Sequence, residues 1–393
     1  MRGKAGRFGL RALIQPLTRE RFEREHWLRR PLVSHGSLAR FGALSRIPEL
    51  QDVGRLCETT RGPVTVFVRK GRQIDLETGA DAFPFYDDGE TLYFRRLQDS
   101  IPALADLSAL LARDFGVWPE DVAVEGFASR DGAGTGMHFD SEQNFNIQLR
   151  GRKTWRVAEN ESVGDPMQSF VAGKQPPPFE LESYSAKPFP ARMPKTARVI
   201  EMRAGSALYL PRGYWHETRV AGDSFALCFA VKPPVWAAVL LDALRRRLVR
   251  DPAWRQGVFG LAGRPRRRSE LRRALAARLP AFAELAASLD AETIVPKAAP
   301  PGAAYRWLPG SRRRLESSEG GSSERWVLSV RARGEEPVQV ELDDEYLPVM
   351  RWMLRQSRRF RPPYGDPEFA ELPAEKMEAL FLSLATIGLI QPR

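Results

Sequence analysis

Cysteine is nearly absent from these 393 residues, with only Cys57 and Cys228. Two distant thiols give neither a disulfide framework nor the paired spacing of a zinc site. Histidine is almost as scarce: His26, His35, His138 and His216 are the whole supply. A site built on imidazole must therefore draw on this short set. No stretch of about twenty apolar residues is available for a membrane span. The basic start, Met1 to Arg7, is not followed by an unbroken apolar segment, so no secretory signal is expected. The cytoplasm is the expected compartment. Acidic residues are outnumbered, 49 against 60 basic ones, for a net charge of +11. Nucleic acid, an anionic complex such as a ribosome, or an acidic substrate would each complement that charge. An arginine-rich composition from a GC-rich genome accounts for it equally well, and charge alone does not choose. What is plentiful is apolar side chain, at 43% of the chain. At this length that suffices for a sizeable core and two or three domains.

The chemistry concentrates in Gly136-Met-His138-Phe-Asp140. In a strand, residues two apart share a face, so His138 and Asp140 project together while Phe139 points away. A neutral imidazole beside a carboxylate is two thirds of a facial triad for non-haem iron(II). The third ligand is sought among the remaining histidines. His216 ends Leu208-Tyr-Leu-Pro-Arg-Gly-Tyr-Trp-His216, which reads as an apolar strand, a Pro/Gly turn and the start of a second strand. His26 and His35 have no neighbouring ligand at strand spacing and read as structural or surface residues.

The tripeptide His-x-Asp is weak by itself. The residues after it add more. From Asn144 the pattern alternates strictly, with Asn144, Asn146 and Gln148 on one face and Phe145, Ile147 and Leu149 on the other. Three amides in a row suit a polar cavity better than an apolar core. Gly151 reads as a tight turn and Lys153 to Val157 as the returning strand. Lys153 is then either a cation available to an anionic co-substrate or an exposed lysine after a hairpin. Gly132-Ala-Gly-Thr-Gly136 lacks the Gly-Lys-Ser/Thr ending of a P-loop, so phosphate binding is not expected. Its glycines would let the backbone pass close to a bound substrate.

His138-Phe-Asp140, Gly151-Arg-Lys153-Thr-Trp155 and Leu210-Pro-Arg-Gly-Tyr-Trp-His216 together resemble the JmjC-type 2-oxoglutarate oxygenases. Within them the chain is most similar to the ribosomal-oxygenase branch of cupin-like hydroxylases. Leu17 to Phe22 and His26 to Pro31 resemble the helix that precedes the barrel there. The resemblance covers roughly residues 10–235 and implies a mainly β core, a double-stranded β-helix or jelly roll of the cupin/JmjC kind. It also implies iron(II) on His138, Asp140 and His216, with 2-oxoglutarate as co-substrate. Lys153, fifteen residues beyond His138, would pair with the 5-carboxylate of 2-oxoglutarate. Thr135 and Asn144 match positions that hydrogen-bond the co-substrate in the related asparaginyl hydroxylases. Those enzymes carry a further amide on the strand after the last ligand, where Phe225 to Val231 offers only Cys228.

Four segments are expected along the chain. Residues 1–60 read as helix and loop, with Thr18 a candidate cap, and residues 61–235 as the barrel. Strands are expected near Val64–Val68, Leu92–Phe94 and Asp121–Phe127, and a helix near Ile101–Phe115. The proline-rich stretch from about Asp165 to Lys195 is either a lid over the site or a passive connector. Residues 236–292 read as helices with apolar faces at Trp236, Leu240, Leu244, Leu248 and at Leu271, Leu275, Leu279, Phe282. The resemblance makes this a dimerisation module; a helical subdomain packed on its own barrel is the alternative. Beyond a linker at 296–309 and a loop at 317–323, residues 293–393 resemble a winged-helix-like α+β domain. The implied activity is hydroxylation of a protein side chain, with arginine or histidine of a ribosomal protein as target. A hydroxylase of a peptide or small metabolite, and a metal-binding cupin without oxygenase activity, are the other readings.

Overall fold

The computed structural model describes residues 8–393 except 69–71, 174–175, 263–264, 295–303, 309, 319–324, 332–336, 357–358, 364–365, 370, 373, 388 and 393. They fall into two compact units, one ending at Pro234 and the other starting at Val235.

The first unit is organised by an eleven-stranded sheet. In chain order its strands are β1 (Leu32–Ser34), β2 (Val64–Val68), β3 (Arg72–Leu76), β4 (Thr91–Phe94), β5 (Val122–Ser129) and β6 (His138–Phe139). Then come β7 (Gln143–Ala158), β8 (Phe170–Val171), β9 (Arg198–Arg203), β10 (Ala207–Leu210) and β11 (Trp215–Val231). The first half of β7 lies between β10 and the end of β11, in the order β1-β10-β7-β11-β5-β4-β2-β3. Its second half lies between β9 and the start of β11, and the start of β11 carries β6 and then β8. One pair of long strands thus belongs to two sheets. Those sheets face each other, because the Lys153 ammonium on the second half of β7 lies 5.3 Å from the ring of Phe127 on β5.

The expected hairpin at Gly151 does not form. The chain runs straight through it as a single 16-residue strand. Gly151 instead marks a bulge, with φ of +71° and a register shift opposite it between Ala221 and Phe225. A bulge adds a residue to one strand and reverses which side chains point inward. Residues 143–149 are buried on both faces, whereas after the bulge Lys153, Trp155 and Val157 are buried while Arg152 and Arg156 are exposed. Gln148 braces this kink, its Nε2 donating to Arg150 O at 2.6 Å and Ser224 Oγ at 2.8 Å.

Phe145, Ile147 and Leu149 point the other way, as their alternation predicts, into the main apolar core. Phe8, Leu13, Phe22 and Phe41 from the N-terminal segment enter that core, as do Leu104, Leu107 and Leu111 from helix Pro102–Phe115. Thr18 does cap helix Arg19–Glu25, accepting from the Arg21 backbone N–H at 3.3 Å.

The second unit contains helices Trp236–Leu248 and Pro265–Ala287, a three-stranded antiparallel sheet and a short strand pair. That sheet joins Arg312–Ser318, Arg325–Arg331 and Val338–Asp343. Helices Leu347–Arg355 and Ala374–Thr386 share its core around Trp307, Leu328, Met350 and Phe381. Of the linker expected at 296–309, residues 296–303 and 309 lie outside the described residues, while Tyr305–Trp307 form a strand paired with Ile390–Pro392. Most of the loop expected at 317–323 also lies outside them. No helix among the described residues is long and apolar enough to cross a membrane.

A Cβ at Gly151 would stand 1.9 Å from the carbonyl oxygen of Asp223. Gly151→Val adds that clash to a backbone conformation costing about 1–3 kcal/mol for a non-glycine residue. The expected result is a loss of at least about 2 kcal/mol in denaturant unfolding; an unchanged midpoint would mean that the bulge is not a constraint on the fold.

Candidate metal centre

His138, Asp140 and His216 are brought together, with one ligand atom from each lying within 4.8 Å of the others. Among the described residues no other group of histidine, cysteine and carboxylate side chains is so arranged. The pairing of β6 with β11 sets His138 directly opposite His216. Their rings lie 4.0 Å apart, centre to centre. Asp140 follows at the end of β6, its Oδ2 3.4 Å from His216 Nε2 and its Oδ1 3.9 Å from His138 Nε2.

Both imidazoles are held by their other nitrogen. His138 Nδ1 lies 2.7 Å from Gly136 O, and His216 Nδ1 lies 3.0 Å from Tyr214 O. A carbonyl only accepts, so each Nδ1 carries a proton and Nε2 is the atom left to bind a metal. A metal-ligating histidine is commonly fixed in this way. Trp155 stacks on His216 at 5.6 Å, with 27° between the ring planes. Burial by itself would raise the Asp140 carboxyl. His216 beside it, then His138 and the amide of Asn144, outweigh burial and hold the group well below the usual carboxylate range. Two Nε2 lone pairs and an ionised carboxylate converging on one point suit a divalent transition ion such as iron(II).

Phe139 points away from the pair, as strand alternation requires, and lies edge-on to Trp215 at 4.8 Å. Around them pack Phe170, Leu181, Phe189 and Met193 from the proline-rich segment. That segment is thus neither free loop nor bare connector. It supplies β8, which pairs with the ligand strand β6, and the apolar layer behind it.

Lys153 is buried, and the Phe127 ring is its nearest described partner. Burial pushes its ammonium down to about 8. Thr135 shares a hydrogen bond with Thr218 Oγ1 at 2.9 Å, two residues beyond His216. Asn144 donates from Nδ2 to Asp140 Oδ2 at 2.7 Å. The glycine loop before His138 lies along β11, and a Cβ at Gly134 would stand 1.9 Å from Thr218 O. The close approach needed there is to the protein's own backbone. His26 and His35 lie apart from the centre, on Pro31 O and Ser206 Oγ respectively.

The sequence did not single out Glu125, Tyr93 or Trp155. Glu125 accepts from the Tyr93 hydroxyl at 2.6 Å, and burial, with Asp140 and Glu142 adding to it, pushes the carboxyl up to about 8. Cys228 lies between Glu125 and Asn146 in the strand register and is buried. Asn146 Nδ2 and Trp155 Nε1 are buried donors without a protein partner. The one available signal was that Ala123, Glu125 and Phe127 share a face of β5 opposite to Val122 and Val124.

The JmjC domain family matches residues 119–239 of this chain. An uncharacterized protein of Bacillus subtilis, YxbC, is 30% identical over 259 residues, which is 63% of this chain and 78% of that protein. Ribosomal oxygenase 1 of Gallus gallus is 24% identical over 269 residues, again 63% of this chain but 41% of that protein. The chain therefore spans less than half the length of that relative. Among solved structures, YcfD, a ribosomal oxygenase from Escherichia coli in complex with cobalt and 2-oxoglutarate, is 18% identical. The match covers 96% of this chain and 99% of that one, with a TM-score of 0.41.

Proposed function

The chain belongs to the JmjC family of iron(II)- and 2-oxoglutarate-dependent oxygenases, and on that premise we propose that it hydroxylates a protein side chain. An arginine or histidine of a ribosomal protein is the proposed target, a reading supported by the names of its relatives. The observation that carries the proposal is the cluster of His138, Asp140 and His216, each imidazole offering Nε2.

His138, Asp140 and His216 would hold iron(II). Iron(II) bound there supplies the oxidation: 2-oxoglutarate and dioxygen give succinate, carbon dioxide and one oxygen atom inserted into a substrate C–H bond. The protein's part is orientation and exclusion of water. Asp140 contributes the one negative charge among the three ligands, which leaves positive charge for an anionic co-substrate to balance. Lys153 would bind the far carboxylate of that co-substrate; a charge-assisted hydrogen bond of this kind contributes about 1.5–3 kcal/mol. Thr135 can offer its hydroxyl to the co-substrate while keeping Thr218.

The substrate assignment is tested by mass spectrometry of ribosomal proteins from cells with and without the gene. A modification of about 16 Da, one oxygen atom, should be lost in the knockout; identical spectra would turn attention to a free peptide or metabolite. For the centre itself, His138→Ala and Asp140→Ala should each abolish iron-dependent 2-oxoglutarate turnover. Full activity in both would remove the assignment.

Lys153→Ala should raise the apparent 2-oxoglutarate constant at least about tenfold, equivalent to 1.4 kcal/mol. Metal affinity should hardly change. The pH dependence has a definite sign. Below about 8 the Lys153 amine is protonated and attracts the anion; above it the proton is lost and binding weakens. Affinity for 2-oxoglutarate should therefore fall as pH rises through that value. The nearby Cys228 thiol is held protonated well above this range by burial, so it does not supply the step. Lys153→Arg, charged throughout, should flatten the part of the fall due to Lys153, the remainder belonging to Glu125, whose carboxyl is also pushed up to about 8. An alanine variant with unchanged 2-oxoglutarate dependence would exclude Lys153 from the role.

Segment 236–292 is proposed to pair with a second copy of the chain. Trp236, Leu241, Val258, Phe259, Leu261, Leu275 and Leu279 are all more than half exposed there. Obligate interfaces commonly bury about 2,000 Å² or more, much of it apolar. Light scattering should return twice the chain mass at micromolar concentration, and a monomer would count against the pairing.

A further inference from the structure

We propose that Asn144 is a positioning residue, which fixes the rotation of the Asp140 carboxylate between His138 and His216 for metal binding. The inference rests on reading His138, Asp140 and His216 as the metal centre. A carboxylate only accepts hydrogen bonds, so the amide beside it must present its nitrogen. Asn144 Nδ2 does so at 2.7 Å from Oδ2.

The amide is well placed to hold a neighbour still. Asn144 lies in the middle of the sheet, paired with Leu210 on one side and Ala230 on the other. It is only 7% exposed. The Asp140 main chain is held separately, its carbonyl accepting from the Gly213 N–H at 2.9 Å. What remains to be set is rotation of the carboxylate, and the amide sets it. Asn144 holds Oδ2, which also lies 3.4 Å from His216 Nε2, and that leaves Oδ1 turned toward His138 Nε2 at 3.9 Å.

Asn144 Oδ1 is buried without a protein partner, but it accepts only, as do the carboxylates of 2-oxoglutarate. Its link to Asp140 is therefore the role that the geometry favours over direct co-substrate binding. Groups that orient metal ligands typically contribute 10- to 100-fold in metal affinity.

The test titrates cobalt(II) into the metal-free full-length chain. Asn144→Leu keeps the volume and removes the donor; Asn144→Ser is polar but too short to reach. Both should lower cobalt affinity about 10- to 100-fold and shift the visible absorption of the bound ion. The metal-free melting temperature should stay within about a degree or two. At saturating metal, the KM for 2-oxoglutarate should change less than about threefold. Wild-type cobalt affinity in Asn144→Leu overturns the inference, whether KM rises or not. Loss of the metal-free melting transition in both variants overturns it as well, by making Asn144 a folding residue. His138→Ala, measured in parallel, separates the two levels. If it too binds cobalt as wild type does, the centre itself is misread; if only Asn144→Leu is unaffected, the centre stands and this inference fails.

Discussion

The ladder between β7 and β11 is the constraint on which the rest of the first unit depends. Every proposed metal ligand is held by it directly or at one remove: His216 lies on β11, His138 is paired to β11, and Asp140 is tethered by Asn144 on β7. The two strands stay paired from Gln143 to Ala158 only because a bulge at Gly151 lets them bend from one sheet into the other. Without the bulge, strict alternation would turn Lys153 outward, since it differs in parity from Asn144, Asn146 and Gln148. Closing the sheet on itself and turning the lysine inward are thus one event. A single glycine with positive φ makes both possible.

The interior created in this way is costly. It holds an unpaired lysine, a carboxyl hydrogen-bonded to a tyrosine, and amide and indole donors without protein partners. Burying a polar group without a hydrogen bond costs about 1–3 kcal/mol in protein measurements. A fold selected for stability alone would fill these positions with apolar side chains, as it does with Phe145, Ile147 and Leu149 on the opposite face of β7. Around the centre the unpaired donors Lys153, Asn146 Nδ2 and Trp155 Nε1 stand beside two unpaired acceptors, Asn144 Oδ1 and Gln148 Oε1, and the one full charge among these five is the positive one of Lys153. That sign suits an acceptor-rich anion, whereas Glu125, pushed toward its neutral form by burial, adds little opposing charge at neutral pH.

Much of this was legible in the sequence because strands carry a period of two. His138 and Asp140 on one side with Phe139 on the other, and amides alternating with Phe145, Ile147 and Leu149, follow from that period alone. The Pro-Arg-Gly turn before His216 was equally plain, with Gly213 in the left-handed region. Gly151 was misread for a physical reason. A glycine with positive φ serves a hairpin and a bulge alike, and the difference lies in Ala221 to Phe225, seventy residues away, where β11 bulges in answer. The glycines before His138 were misassigned similarly, since nothing local reveals that Thr218 is what they approach. Glu125 escaped notice because a lone acid in an apolar strand looks the same whether it faces solvent or a cavity.

The alternation that reveals the ligands also explains how they are held firmly. Each strand that carries proposed ligands turns them to one side and an aromatic to the other: His138 and Asp140 flank Phe139, and His216 follows Trp215. Phe139 and Trp215 meet edge to face, and Phe170 and Phe189 close around them. Such rings bury large areas, and aromatic pairs of this geometry add about 0.5–1.5 kcal/mol beyond area alone. Rotating either ligand strand to move its imidazole would have to pull an aromatic ring out of that layer. The proline-rich segment, which supplies Phe170 and Phe189, therefore acts on the centre without touching it. Its apolar side chains resist the twisting of two short strand ends that backbone hydrogen bonds alone would leave soft.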